Sequence, residues 1–425
     1  MAQEIQDFYD RYPYPPPVNS LDQYRRLWQD PHRRRADHHL FWPQRSFRED
    51  HSILIAGCGT SQAAKYAFRW PRAQITGIDL SATSVQYTVE LKRRYGLDNL
   101  QVYQLPIDRV TDLAQTFDQI VCTGVLHHLS DPDVGLAALR DVLKLDGAMH
   151  LMVYAPYGRT GIYMLQEFCR RLHIHPTDAD IRKLAAALKA LPHGHPLEHL
   201  LNEVLDFRHE AALADALLHP QDRAYSVPQF FDFVRRGRLT FGRWIRQAPY
   251  SARCGVMAQI PQSSQVAALP LEEQFAVVEL FRGTMVRHSA VVYRNDRSEA
   301  AQPVKFSGDR WPGFVPIRMS DTICAQEPRS ASAESALINQ NHTYRDLLLA
   351  ISSAEKDMFD AINGDRTIID IARAALPNSP EELRLEVTRT FFERLWWHDQ
   401  VVFDTSGTQG TKAMSLSRAA EMSRV

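Results

Sequence analysis

Residues 53–81, ILIAGCGTSQAAKYAFRWPRAQITGIDLS, constrain the fold more than any other part of the chain. An apolar run breaks at Gly57-Cys58-Gly59 into an amphipathic segment, then into a second apolar run that ends in Asp79. Short, continuously apolar runs are strands buried on both faces, so helices must cover the sheet they form. The alternation continues to about residue 157 through SATSVQYTVELKRRYG, LQVYQL, FDQIVCTG, DVGLAALRDVLKL and AMHLMVYA. The pattern predicts an α/β fold: a Rossmann-like, mostly parallel sheet with helices on both faces.

Around this core (51–157), residues 1–50 read as an N-terminal cap, because YPYPPP forms neither regular helix nor central strand. Residues 158–325 read as a largely helical accessory or substrate region, with GIYMLQEFCRRL, ADIRKLAAALKAL, LEHLLNEVL and AALADALL as its helices. The stretch AQEPRSASAES, 325–335, reads as a linker. Residues 336–405 read as a small winged-helix-like module and 406–425 as a disordered tail. In the module's long helix Leu383, Val387, Phe391 and Leu395 recur every four residues and predict the buried stripe, with Trp396 and Trp397 in the same core.

Composition excludes few partners by itself. Lysine plus arginine (49) and aspartate plus glutamate (50) cancel to a net charge of -1, which gives no global pull toward nucleic acid or an anionic membrane. No apolar run approaches a bilayer span and the N-terminus lacks the blocks of a signal peptide, so the expected location is cytoplasmic, with no membrane partner. Cys58, Cys122, Cys169, Cys254 and Cys324 show no CxxC spacing and read as buried thiols. His173, His175, His193, His195 and His199 have no cysteine or carboxylate completing a ligand pattern, so no metal is expected. The basic cluster PHRRRADHH, 31–39, reads as a solvated face before a contact for an acidic substrate or RNA. The last helix mixes Glu381, Glu382, Glu386 and Glu393 with Arg384, Arg389 and Arg394. It lacks the positive face that phosphate contacts need, which argues against nucleic acid and for a docking, homodimerisation or substrate-presenting role.

The glycines permit close backbone approach, and Asp79 stands where a carboxylate accepts from both ribose hydroxyls. A purely structural alternative, Asp79 capping the helix begun by DLSATS, is compatible with that role. A dinucleotide turn keeps a third glycine to seat the pyrophosphate, and Gln62 occupies that position here. S-adenosylmethionine has no pyrophosphate to seat. ILIAGCGTSQAA, ITGIDLS and FDQIVCTGVLHHLSDP resemble the first, second and fourth motifs of class I S-adenosylmethionine-dependent methyltransferases, over roughly residues 50–157. The resemblance implies S-adenosyl-L-methionine as cofactor, with Ala56, Gly57, Cys58, Gly59, Asp79, Leu80, Gly124 and Val125 around it. It places adenine at Leu105, Pro106 and Ile107, where backbone groups or Asp108 replace the aspartate that the family often has at Pro106. Ala56 and Ser61 likewise stand where many members have an acid and a third glycine. FYDRYPYPPP and HPQDRAYSVPQFFDFV resemble a bacterial group of these enzymes whose N-terminal lead-in folds over the cofactor. That assigns Tyr9, Tyr12 and Tyr14 to the cofactor, through a ring face on the sulfonium or a phenol on the methionine carboxylate, the alternative being a proline-rich arm that simply packs on the domain surface.

Methyl transfer asks for an aligned nucleophile and, where needed, a base. His127 and His128 follow the fourth apolar run and are candidates for that base, or else pack and cap the loop. After the fifth run, Tyr154, Tyr157 and Arg159 are candidate substrate contacts, Tyr157 also a catalytic candidate and Arg159 a carboxylate anchor or a helix-start ion pair. The expected activity is methyl transfer to an unidentified acceptor, a protein side chain or a natural-product-like small molecule. Its rivals are a non-catalytic S-adenosylmethionine sensor signalling through the C-terminal module, and an NAD-dependent oxidoreductase.

Overall fold

The computed structural model describes residues 2–203, 209–297, 304–325 and 335–408. Each apolar run of the core becomes a strand: β1 (Ser52–Ala56), β2 (Gln74–Asp79), β3 (Leu100–Gln104), β4 (Phe117–Thr123) and β5 (Leu143–Tyr154). These five pair in parallel in the order β3-β2-β1-β4-β5. Ile53, Leu54 and Ile55 of β1 are fully buried, each stabilising the fold by about 1.5–3 kcal/mol relative to exposure. The crossover helices are delimited by local chemistry. Ser81 accepts from Ser84 N–H to start Ala82–Tyr95, which Gly96 ends in a left-handed conformation; Asp131 accepts from Asp133 and Val134 to start Pro132–Val142.

The sheet has two further strands, β6 (Leu239–Trp244) and β7 (Arg287–Arg294), from the region read as largely helical. β7 pairs antiparallel with β5 from Ala148↔Tyr293 to Tyr154↔Arg287, and β6 pairs antiparallel with β7. An uncovered β5 would leave a long edge of unpaired backbone groups, and the β-branched run of β7 covers it. The accessory helices themselves fall where expected, at Thr160–Arg171, Asp178–Leu188, Glu198–Glu203 and Glu210–Leu218.

The chain divides into two compact units: 1–29, 49–244 and 270–301 in the first, 30–48, 245–269 and 302–425 in the second. Residues 1–50 are therefore not one cap, and 158–325 are not one region. Helix Pro31–Phe41 is tied into the second unit by its own basic cluster. Arg33 forms two hydrogen bonds with Asp321 (2.9 and 3.1 Å), Arg35 pairs with Asp365 and Asp404, and His38 and His39 are buried, so this is not the solvated face its composition suggests.

The second unit contains β8 (Val315–Arg318), β9 (Thr322–Ala325), β10 (Ser335–Asn339), β11 (Leu349–Ile351) and β12 (Val401–Asp404). Helices Ser353–Asp360, Ile368–Ala375 and Glu381–Trp397 follow the expected order. β12 pairs with β8, far upstream, so the likeness to a winged helix is confined to the order of its helices. The ends of the expected linker are strand residues, Ala325 in β9 and Ser335 in β10, and residues 326–334 lie outside the described residues. Ser406–Thr408 form a helical turn, and the rest of the expected tail, 409–425, also lies outside them. Among the described residues no helix is long and apolar enough to cross a membrane.

The long helix corrects the expected stripe. Leu383 is 52% exposed and Val387 38%, whereas Thr388, Phe391, Phe392 and Leu395 are fully buried and Trp396 nearly so. Trp397 is only partly buried against this core. A strict four-residue spacing advances about 40° per step around a helix of 3.6 residues per turn, so Leu383 and Val387 rotate off the face that Phe391 and Leu395 occupy. Replacing Phe391 with alanine is expected to cost about 3–5 kcal/mol in denaturant unfolding. Leu383→Ala should stay within about 0.5 kcal/mol; equal costs would contradict this packing.

Candidate functional site

The site begins where β1 and β2 end. Gly57 (φ +73) and Gly59 (φ +54) turn the chain through left-handed conformations. The N–H groups of Gly57 and Cys58 both donate to the Ile78 carbonyl at 2.9 Å. Gly59 N–H donates to Asp79 Oδ2 at 2.7 Å and Ser81 N–H to Oδ1 at 3.0 Å. Burial pushes the Asp79 carboxyl above its ordinary range, opposed by these donors. A Cβ on Gly57 would lie 2.3 Å from Val125 Cγ2, and one on Gly59 would meet Pro15 Cδ at 2.9 Å and the Tyr14 carbonyl at 3.1 Å. The N-terminal arm thus lies against the turn, held by Thr60 Oγ1 donating to the Pro15 carbonyl at 2.8 Å. Asp10 Oδ1 accepts from Ser81 Oγ and Thr83 N–H at 2.7 and 3.1 Å.

Ala56 and Cys58 are fully buried, so they serve the turn through backbone rather than side chain. The Leu80 carbonyl accepts from Gln104 Nε2, Leu105 N–H donates to the Asp79 carbonyl, and Pro106 precedes the 3-10 helix Ile107–Leu113. Ile107 is buried there and Asp108 exposed. Gly124 (φ +81) follows β4, with Val125 packed on Gly57.

A second cluster lies at the carboxyl ends of β4 and β5. His127 and His128 are both buried in the turn Leu126–His128. The ring of His127 lies 3.9 Å from that of Tyr154, and neither of its ring nitrogens has a hydrogen-bond partner, so it packs. His128 Nδ1 lies 2.7 Å from the Gln221 carbonyl, and its ring 4.0 Å from that of His219. Arg159 stacks 3.5 Å over Tyr154, pairs with Asp222 at 3.1 Å and bonds Tyr163 OH at 3.1 Å. Tyr9 OH donates to Asp215 Oδ1 at 2.9 Å. Burial pushes the His127 imidazole well below its ordinary range, His128 below it and His219 down to about 3, and raises the Tyr9 and Tyr154 phenols well above theirs. At neutral pH the three imidazoles are uncharged and both phenols keep their protons.

Two expected site residues sit elsewhere. Tyr12 donates to the Pro176 carbonyl and Asp178 Oδ1 and packs with Phe8, Ile181 and Ala214, so it pins the arm to an accessory helix rather than reaching the cofactor turn. Tyr157 is 40% exposed on its own turn and offers no group to the buried cluster. Arg159 is in place but committed to Asp222, the ion-pair alternative, with a helix-terminal position. Asp10, Asp215, His219, Gln221 and Asp222 were not named from the sequence; Asp10 lies in FYDRYPYPPP and three others in HPQDRAYS, stretches marked only by their resemblance, and the partner of Gln221 appears only where the chain folds back on His128. Among the described residues no group of three or more histidine, cysteine, aspartate or glutamate side chains is arranged to hold a metal.

The turn suits an adenosyl sulfonium. Each Asp79 oxygen accepts one backbone N–H and keeps acceptor capacity for a ribose diol, and Ser61 Oγ is buried in the turn without a partner. The cluster also sets an acid limit. The unfolded chain binds a proton on His219 near pH 6.5, whereas the folded chain resists it down to about pH 3, so stability is full above that unfolded pKa and falls as pH drops through it. Going from pH 7 to 5 should cost on the order of 2 kcal/mol from His219 alone. Denaturant unfolding at the two pH values checks this, and stability that is flat or higher at pH 5 would contradict it.

Comparison with known proteins places residues 54–149 in a methyltransferase domain family. Over 253 residues the chain is 34% identical to an uncharacterised protein of Synechococcus sp., covering 57% of this chain and 59% of that one. Over 120 residues it is 27% identical to the malonyl-[acyl-carrier protein] O-methyltransferase of Acetivibrio thermocellus, covering 28% of this chain and 41% of that one. The chain thus spans less than two thirds of these curated relatives. Its fold resembles that of PKMT2 from Rickettsia typhi, with a TM-score of 0.62 at 16% identity, covering 88% of this chain and 75% of that one. Residues 54–149 are a class I, S-adenosylmethionine-dependent methyltransferase domain.

Proposed function

We propose that this chain transfers a methyl group from S-adenosylmethionine to a nucleophile presented at the carboxyl ends of β4 and β5. The observation that carries the reading is a buried, uncharged imidazole, His128, at the same sheet edge where β2 ends in Asp79 beside a glycine turn. The arm links the two places: the Tyr9 phenol donates to Asp215, and the neighbouring Asp10 accepts from Ser81 and Thr83.

Asp79 would hold the ribose, Gly57, Gly59 and Ser61 the amino-acid end, Leu105 to Ile107 the adenine, and Gly124 with Val125 the floor. Tyr14, whose carbonyl abuts Gly59, would close the site from the arm. When bound, the cofactor supplies a methyl group on a sulfonium, which leaves the protein to align a nucleophile and take its proton. His128 is the group for that proton, since Nδ1 is engaged by Gln221 and no hydrogen bond involves Nε2 among the described residues. Arg159, fixed by Asp222, orients the Tyr154 ring beside it. The accessory helices support an acceptor larger than a simple metabolite, a protein side chain or a natural-product-like molecule.

Two measurements test this. S-adenosylhomocysteine should raise the melting temperature while NAD does not; the reverse would overturn the reading. Asp79→Asn should weaken S-adenosylhomocysteine binding roughly tenfold to a hundredfold, as expected for charge-assisted hydrogen bonds. Unchanged affinity would remove the ribose role. Incubating a cell extract with methyl-labelled S-adenosylmethionine then separates macromolecular from small-molecule acceptors.

A further inference from the structure

Two neighbouring imidazoles in the buried cluster, their rings tilted 39° to each other, contact one and the same residue, each through a different backbone atom. The Gln221 carbonyl lies 2.7 Å from His128 Nδ1, and the Gln221 N–H donates to His219 Nδ1 at 3.0 Å. A carbonyl only accepts and an amide N–H only donates, so the proton positions follow without choosing a side-chain rotor. His128 carries its proton on Nδ1, and His219 Nδ1 is bare. Both rings are buried and uncharged at neutral pH, so each has a single N–H. That leaves His128 Nε2 bare and His219 Nε2 protonated.

His219 is poorly explained by packing alone. Its Nε2 is buried without a hydrogen-bond partner, an arrangement that costs about 1–3 kcal/mol. Its ring is nonetheless held in place, 4.0 Å from His128, 5.1 Å from Phe8 and 5.3 Å from Tyr9. What the ring does there is accept the Gln221 N–H, which fixes the direction of the turn carrying the Gln221 carbonyl. Asp222, the next residue, is anchored by Arg159 and by Gln166 Nε2 at 2.9 Å, so the turn is held on both sides of Gln221.

We propose that His219 is a positioning residue: through Gln221 it fixes His128 as the Nδ1–H tautomer, which turns a bare Nε2 toward the methyl acceptor. The inference rests on the methyltransferase reading for its purpose. In the reaction it serves, the acceptor's X–H proton passes to His128 Nε2, the X–C bond forms, and the sulfonium C–S bond breaks with its electron pair left on sulfur. A base locked in this tautomer selects acceptors that bring an X–H hydrogen and gives no hydrogen bond to a lone pair.

The test is 15N NMR of the full chain with ring-labelled histidine at pH 7, the two signals being assigned by their loss in His128→Gln and His219→Asn. The expected result is His128 protonated on Nδ1 and His219 on Nε2. His219→Asn, whose side-chain oxygen accepts near the Nδ1 position, should keep the His128 tautomer, and His219→Leu should lose it. Methyl-label transfer in a cell extract should fall roughly tenfold in His219→Leu with the S-adenosylhomocysteine melting shift intact. A wild-type His128 protonated on Nε2, or a tautomer and transfer unchanged in His219→Leu, overturns the proposal. A wild-type protein that S-adenosylhomocysteine fails to stabilise overturns the methyltransferase reading instead, while the tautomers stand as measured.

Discussion

The carboxylate of Asp79 holds together three parts of the first unit. Its two oxygens take the N–H groups of Gly59 and Ser81, so the end of β2 fixes both the glycine turn and the start of the next helix. A carboxylate leaves water at a cost, here visible as an upward push on its pKa, and directed backbone donors offset it. The N-terminal arm then depends on the same locked turn, through Thr60 to Pro15 and through Asp10 to Ser81 and Thr83. The Asp79 carboxylate and the glycine turn beside it are thereby fixed by backbone donors of the chain itself.

The buried cluster at the carboxyl ends of β4 and β5 follows a different physical logic. Imidazoles, phenols and carboxylates crowd one buried volume, and they stay compatible because burial keeps His127, His128 and His219 uncharged and Tyr9 and Tyr154 protonated. The full charge in the cluster's cation, Arg159, is matched by Asp222, with both side chains nearly inaccessible. Removing one partner of such a pair leaves an uncompensated buried charge, typically at about 3–5 kcal/mol. Arg159 therefore works as a frame for Tyr154 and the 219–222 turn, whatever the acceptor's charge.

The parallel core was legible because its signal is local. ILIA is a continuous apolar run and QITGID and FDQIVCT are short apolar-centred ones, of the kind a doubly covered sheet buries, and Asp79 sits a fixed distance along from Gly59. β6 and β7 were not legible, since their strand character depends on covering the edge of β5, a long-range requirement that no window of sequence contains. Tyr12 and Tyr157 looked equivalent to Tyr9 and Tyr154 by residue type and neighbourhood, but partner choice separated them: Asp178 and the Pro176 carbonyl claimed Tyr12, and solvent took Tyr157. His219, Gln221 and Asp222 were hidden for the complementary reason, being ordinary polar residues until the chain returns more than 90 positions later to meet His128. The long C-terminal helix shows the same limit on a smaller scale, where a four-residue spacing drifted off the face that tertiary packing selected.

The central claim is that the glycine turn, Asp79 and the arm together receive S-adenosylmethionine. Hydrogen–deuterium exchange of the full chain with and without S-adenosylhomocysteine reads that location directly. Slowed exchange is expected in peptides covering residues 56–62, 79–83, 105–107 and the arm at 8–15. Protection confined to other segments, or none at saturating ligand, would contradict it.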